Sequence, residues 1–162
     1  MPTIQCSRDI AAGIEVVYDL ARRVEDFPQF MPDVRSIKLV ESSADGSRTV
    51  TEWVGVVEQF NQVVRWVEED LWDHEAHTCK FRQLSGDYSE YRGEWRFVSI
   101  PTGTRFESEL HFAYNIPLIG ALIQGIITKL MKTNLENTLK AIGERSEALA
   151  IGLSAENASV RE

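Results

Sequence analysis

The chain has 162 residues, of which 43% are apolar and 26% charged, with ten glycines and five prolines. That composition suits one globular domain and excludes a fibrous or low-complexity chain. Seventeen Lys and Arg stand against 25 Asp and Glu, a net charge of −8, which disfavours nucleic acid and anionic lipid surfaces as partners, since both need a basic face. Cys6 and Cys79 make no disulfide framework and read as free thiols of a reducing compartment. Met1-Pro2-Thr3 carries no basic n-region and no apolar h-region follows it. The longest apolar stretch, Ile116 to Met131, is broken by Pro117, Gly120, Gln124, Gly125, Thr128 and Lys129, and falls short of the ~20 apolar residues of a membrane span. The expectation is a cytoplasmic protein with no transmembrane segment: one domain over residues 1–150 and a flexible tail over 151–162.

In chain order, Thr3 to Arg8 alternates apolar and polar residues and predicts a strand. Ile14, Val17, Leu20, Ala21 and Val24 recur at helical spacing and predict a short amphipathic helix over 11–24. Pro28 and Pro32 restrict the next segment to one turn or a tight bend carrying Phe27, Phe30 and Met31. Six strand signals follow: 34–41, 48–57, 62–73, 78–84, 88–98 and 104–116. Asp45-Gly46 marks the first hairpin turn. In the last two strands Tyr91, Gly93, Trp95 and Phe97, and then Phe106, Ser108, Leu110, Phe112 and Tyr114, share one face. Charged residues fill the other, so the sheet is antiparallel with one buried face. From Leu118 to about Leu149 the apolar period is helical. About 30 residues at ~1.5 Å each span roughly 45 Å, enough to cross a curved sheet. Strand, short helices, six strands and a long helix make an α+β fold.

This order, with Glu25-Asp26-Phe27-Pro28-Gln29-Phe30-Met31-Pro32 after the first helix, Val64-Arg65-Trp66, Tyr91-Arg92-Gly93-Glu94-Trp95 and the long C-terminal helix, resembles the START and birch-pollen-allergen-like superfamily. Within it the chain is most similar to polyketide cyclase/dehydrase-like proteins and coenzyme Q-binding START-type proteins. The resemblance covers residues 3 to about 148 and implies a helix-grip fold: a curved seven-stranded antiparallel sheet wrapped around the C-terminal helix, with an apolar cavity between them. Gly93 and Ser108 interrupt the aromatic inner face and are read as leaving space. The expected lining is Phe27, Phe30, Met31, Trp66, Phe81, Tyr88, Tyr91, Trp95, Phe106, Leu110, Phe112, Tyr114, Leu122 and Ile126. Tyr88 and Tyr114 offer hydroxyls to a ligand's polar end. Access is expected between the Phe27 to Pro32 turn and the Pro117 to Gly125 start of the long helix.

Aromatase/cyclases of this superfamily use an aromatic hydroxyl and an arginine inside the cavity. The matching positions here are Val34 and Asp70, and neither stabilises an enolate oxyanion as a cation does. Arg82 matches a second arginine of some cyclases; Arg82, Tyr91 and Asp70 are the remaining catalytic candidates. Strand 62–73 leaves its inward face open. The resemblance turns Trp66, Glu68 and Asp70 inward, with Arg82 as a possible partner, whereas the rarity of buried carboxylates favours a twisted strand with solvated acids. Asp73-His74-Glu75-Ala76-His77 lacks the H-E-x-x-H spacing and reads as a polar turn, so no metal is expected. No glycine-rich nucleotide motif and no cofactor signature is present. The leading expectation is a binder or carrier of an apolar small molecule: a lipid, an isoprenoid quinone or a polyketide-like aromatic. A polyketide cyclase/dehydratase is the alternative, and a protein-interaction module a third. The apolar residues of the long helix also offer a surface for a homodimer.

Overall fold

A computed structural model describes residues 2–57, 61–114 and 121–160, with side chains described except at 121–123 and 155–160. The elements are β1 (Thr3–Ile10), α1 (Ile14–Arg22), a 3-10 turn (Val24–Gln29), β2 (Val34–Ser42), β3 (Arg48–Val57), β4 (Gln62–Asp73), β5 (Thr78–Gly86), β6 (Glu90–Ile100), β7 (Gly103–Ala113) and α2 (Ala121–Val160). All seven strands form one sheet in the order β1-β7-β6-β5-β4-β3-β2. Each neighbour is antiparallel, and β1 closes the sheet by pairing with β7. This is the expected helix-grip architecture.

The period-two pattern sets the concave face. Ile4 and Ile10 of β1, Val64, Trp66 and Trp72 of β4, Cys79 and Phe81 of β5, Trp95 and Phe97 of β6, and Phe106, Leu110 and Phe112 of β7 are buried. The α1 helix contributes Val17, Tyr18, Leu20 and Ala21. Pro28 sits inside the 3-10 turn, where the chain tightens before β2 and buries Val24 and Phe27. A proline there cannot continue an α-helix.

The long helix packs unevenly. Leu139, Ile142 and Ser146 are buried, and Gly143 lies so close to β1 that a Cβ there would meet Arg8 Nε at 2.9 Å. Met131 and Leu135 pack only partly against the core. The helical backbone continues to Val160, through the segment expected to be a flexible tail. Where β6 and β7 pair, the core is aromatic: Phe97 and Phe106 stack at 4.5 Å, and Trp95 meets Phe106 edge-on at 5.2 Å. Such pairs each contribute ~0.5–1.5 kcal/mol beyond burial. Among the described residues no helix is long and apolar enough to cross a membrane.

Gly93 does not leave space, contrary to expectation. A Cβ at Gly93 would lie 2.5 Å from Phe81 Cζ and closer still to the Glu109 carbonyl oxygen. The glycine admits the Phe81 ring and the β7 backbone at close range, so its missing side chain is filled by a neighbour. Gly93→Ala is therefore expected to destabilise by ~1–3 kcal/mol, as overpacking does. A thermal melt checks this: a loss of about 2–4 °C in Tm per kcal/mol is expected, and an unchanged Tm would refute the close-packing account.

Candidate functional site

Between the sheet and α2 lies a cleft of about 470 Å³. Trp53, Trp66, Tyr88, Tyr91 and Leu110 form its sheet wall, Phe30 and Met31 come from the turn before β2, and Met131, Leu135 and Thr138 come from α2. The tryptophans sit opposite each other on β3 and β4 and stack at 5.5 Å with 14° between planes. Tyr88 and Tyr91 continue this wall, 4.7 Å apart. Tyr88 Oη reaches across to Met131 Sδ at 3.8 Å. Phe30–Asp33 and residues of the Met131–Glu144 stretch of α2 line the remaining sides of the cleft.

A narrower extension of about 70 Å³ continues inward, sharing Met31, Val34, Trp53, Tyr91, Leu110, Leu135 and Thr138 with the main cleft. Its walls are Phe27, Trp72, Phe81 and Trp95, and its polar members are Glu68 and Asp70. Strand β4 thus turns the Trp66 face inward, and the expectation of solvated acids is overturned: Glu68 is 6% exposed and Asp70 4%. The physical reason is the two-residue period. Trp66 and Trp72 are driven into the core, and the two acids between them share their face.

The burial is accompanied by hydrogen bonds. Trp66 Nε1 donates to Glu68 Oε2 at 2.7 Å. Thr51 and Thr49 hydroxyls donate to Asp70 Oδ2 at 3.1 and 3.3 Å. Trp53 Nε1 donates to Thr51 Oγ1 at 2.8 Å. Glu68 and Asp70 are hydrogen-bonded to each other. Burial pushes the Glu68 carboxyl well above the usual carboxylate range, and the charge of Asp70 adds to the rise. Burial raises Asp70 too, opposed by the hydrogen bonds from Glu68, Thr51 and Thr49. Of the two, Glu68 is the carboxyl that burial pushes further towards its protonated form, and the two titrate as a coupled pair. Burial also raises the Tyr88 and Tyr91 hydroxyls, which stay protonated.

Arg82 is not part of this site. Its side chain is 63% exposed on the convex face, where its Nε donates to Glu69 Oε1 at 3.0 Å. Arg48 holds the other oxygen of Glu69 at 2.8 Å. Glu69 lies between Glu68 and Asp70, so the same period that buries those two points Glu69 and its arginines outward. His74 and His77 are engaged with Tyr18 and Glu15: Tyr18 Oη lies 2.8 Å from His74 Nδ1, and His77 Nε2 2.9 Å from Glu15 Oε1.

Of the expected lining, Phe30, Met31, Trp66, Tyr88, Tyr91 and Leu110 stand around the main cleft, and Phe27, Phe81 and Trp95 around its inner end. Phe106 and Phe112 are closed into the core behind the wall. Tyr114 packs edge-on against Tyr88 at 5.6 Å and does not line the cleft. Ile126 is 42% exposed, because the helical face that meets the sheet runs through Met131, Leu135, Leu139 and Ile142. The Leu122 side chain and the Pro117–Gly120 part of the expected access route lie outside the described residues. Sequence reasoning missed Trp53, Met131, Leu135 and Thr138. The signal for Trp53 was its place between Thr51 and Gly55 on one face of β3.

The family model for polyketide cyclase/dehydrase and lipid transport matches residues 10–138. This chain belongs to that family. No curated protein matches it. Among solved structures, TTHA0849 of Thermus thermophilus is 35% identical with a TM-score of 0.85, covering 92% of this chain and 99% of that one. The Zhui aromatase/cyclase from a Streptomyces species is 15% identical with a TM-score of 0.81, over 90% of this chain and 93% of its own. A START superfamily protein from Mycobacterium smegmatis is 19% identical with a TM-score of 0.76, over 91% of this chain and 98% of its own. The last two share the fold with this family member.

The raised Glu68 carboxyl has a consequence for stability. The unfolded chain loses that proton near the ordinary carboxylate pKa, whereas the folded chain keeps it. Between those two values the folded state binds more protons, so stability falls as pH rises through the window. Glu68→Gln retains both hydrogen bonds without the titration. It is expected to raise Tm at pH 7 by a few degrees, at about 2–4 °C per kcal/mol, with the gain shrinking towards pH 4. A variant whose Tm is lowered, or whose gain is independent of pH, would contradict this protonation state.

Proposed function

We propose that this protein binds or carries an apolar small molecule in the cleft, with the ligand's polar end at Glu68 and Asp70. The candidates are a lipid, an isoprenoid quinone or a polyketide-like aromatic. The observation that carries the reading is a cleft of about 470 Å³ walled by aromatic side chains and ended by two buried acids. Apolar walls with a few placed polar groups are the usual build of a small-molecule site. A solid core would have no use for a carboxyl pair that costs stability. Polar groups retained against stability are more common at functional sites than elsewhere.

The same pair favours a second reading, a cyclase/dehydratase acting on a polyketide. Glu68 would donate a proton to a carbonyl oxygen while Asp70 takes one from carbon, a division of labour that needs two carboxyls in opposite protonation states. The family's description includes both lipid transport and cyclase/dehydrase chemistry, so it does not choose between the readings.

Native mass spectrometry of protein purified from its expression host tests the binding reading. A retained apolar molecule, released on denaturation, is the expected result. Leu135→Trp fills the cleft from the half-buried side of α2 and is expected to cut retention at least tenfold while the protein stays folded. Retention undiminished in that variant would place the ligand elsewhere. An empty wild-type protein that turns over a poly-β-keto substrate would favour the enzyme.

A further inference from the structure

We infer that the inner end of the cleft is a hydroxyl-binding site: it takes a ligand head that both donates and accepts a hydrogen bond, and it rejects carboxylate and phosphate heads. The inference rests on the reading of the cleft as a ligand site and deepens it by naming the chemistry of the ligand's polar end.

The first observation is a buried acidic pair with no cation beside it among the described lining residues. Glu68 and Asp70 are hydrogen-bonded to each other, and their other partners, the Trp66 indole and the Thr49 and Thr51 hydroxyls, are neutral. Arg48 and Arg82 are held on the other face by Glu69. Among the described lining residues Lys140 is the one cation. It belongs to the outer cleft, where its side chain is 60% exposed and 3.9 Å from Glu144. An anionic head pushed against the pair would therefore bury its negative charge among acids with no counter-ion, which is strongly unfavourable. A donor is what the pair accepts. A carboxylate offers about four lone-pair sites, and Asp70 has three of them engaged by Glu68, Thr49 and Thr51. One acceptor site remains.

The second observation is independent. Trp95 lines the same inner end, and its indole N–H is buried without a hydrogen-bond partner among the described residues. Leaving a buried donor unmade is costly, and such a group calls for an acceptor. Thr51 cannot serve both needs, since it already donates to Asp70 and accepts from Trp53. A hydroxyl has the chemistry to answer both needs, donating through its hydrogen and accepting through its oxygen. An ammonium meets only the first need and a carbonyl only the second.

Isothermal titration calorimetry with four naphthalene probes at pH 7 tests this on the unaltered protein: 2-naphthol, 2-naphthoate, 2-(aminomethyl)naphthalene and 2-methylnaphthalene. The expected order puts 2-naphthol first, about tenfold tighter than 2-methylnaphthalene, as a hydrogen bond to a charged group warrants, with 2-naphthoate the weakest. Asp70→Asn is expected to narrow the gap between naphthol and naphthoate. Trp95→Phe is expected to narrow the gap between naphthol and methylnaphthalene. Naphthoate binding as tightly as naphthol, methylnaphthalene equalling naphthol, or the amine binding tightest would each overturn the hydroxyl site while leaving an apolar-ligand cleft. Binding of none of the four would remove the cleft reading as well.

Discussion

On β4 the side chains of Trp66, Glu68, Asp70 and Trp72 alternate to one face, and a strand offers no way to bury the tryptophans without burying the acids between them. Everything at the site follows from that constraint. The acids must find neutral donors, so Trp66, Thr49 and Thr51 turn their polar hydrogens towards them. The tryptophan of the neighbouring strand stacks on Trp66 and supports Thr51 through its own N–H. On the opposite face Glu69 is left to two arginines, which removes them from the cavity. One strand therefore separates a convex ion-pair surface from a concave aromatic one with a single polar end.

The helix completes the arrangement unequally. Its middle, from Leu139 to Ser146, is fastened against β1 and α1, with Gly143 admitting Arg8. The stretch from Met131 to Thr138 instead faces the aromatic wall across open volume. A helix held at its middle leaves space beside the stretch that the sheet does not grip. Binding proteins of a shared fold then differ in what they line that space with, which is why fold alone does not name the ligand.

Much of the fold was legible because its signals are local. Alternation in β6 and β7, the Asp45-Gly46 turn and the helical period after residue 118 each specify an element without help from distant residues. The site was only partly legible, for reasons that differ by residue. Trp66, Tyr91 and Leu110 follow from period-two facing. Phe106 and Phe112 share that facing yet lie behind the wall, since facing inward does not distinguish a closed core from a cavity. Ile126 was placed by extending the helical period towards the N-terminus, but which arc of a helix meets the sheet depends on its docking angle, a tertiary property. Gly93 misled because a missing side chain reads as space, whereas the Phe81 ring on the neighbouring strand occupies it. The burial rule misplaced Glu68 and Asp70, because the tryptophans on either side of them carry their shared face into the core.

The central claim is that burial at the end of an aromatic cleft holds the Glu68 carboxyl far above the ordinary carboxylate range. Carbon-13 NMR of side-chain carboxyls, assigned with Glu68→Gln and Asp70→Asn, measures it directly across a pH titration. The account predicts that Glu68 remains protonated at neutral pH while the ordinary surface carboxylates have titrated near their usual values, ~4. Both carboxyls titrating together with the surface acids would contradict it.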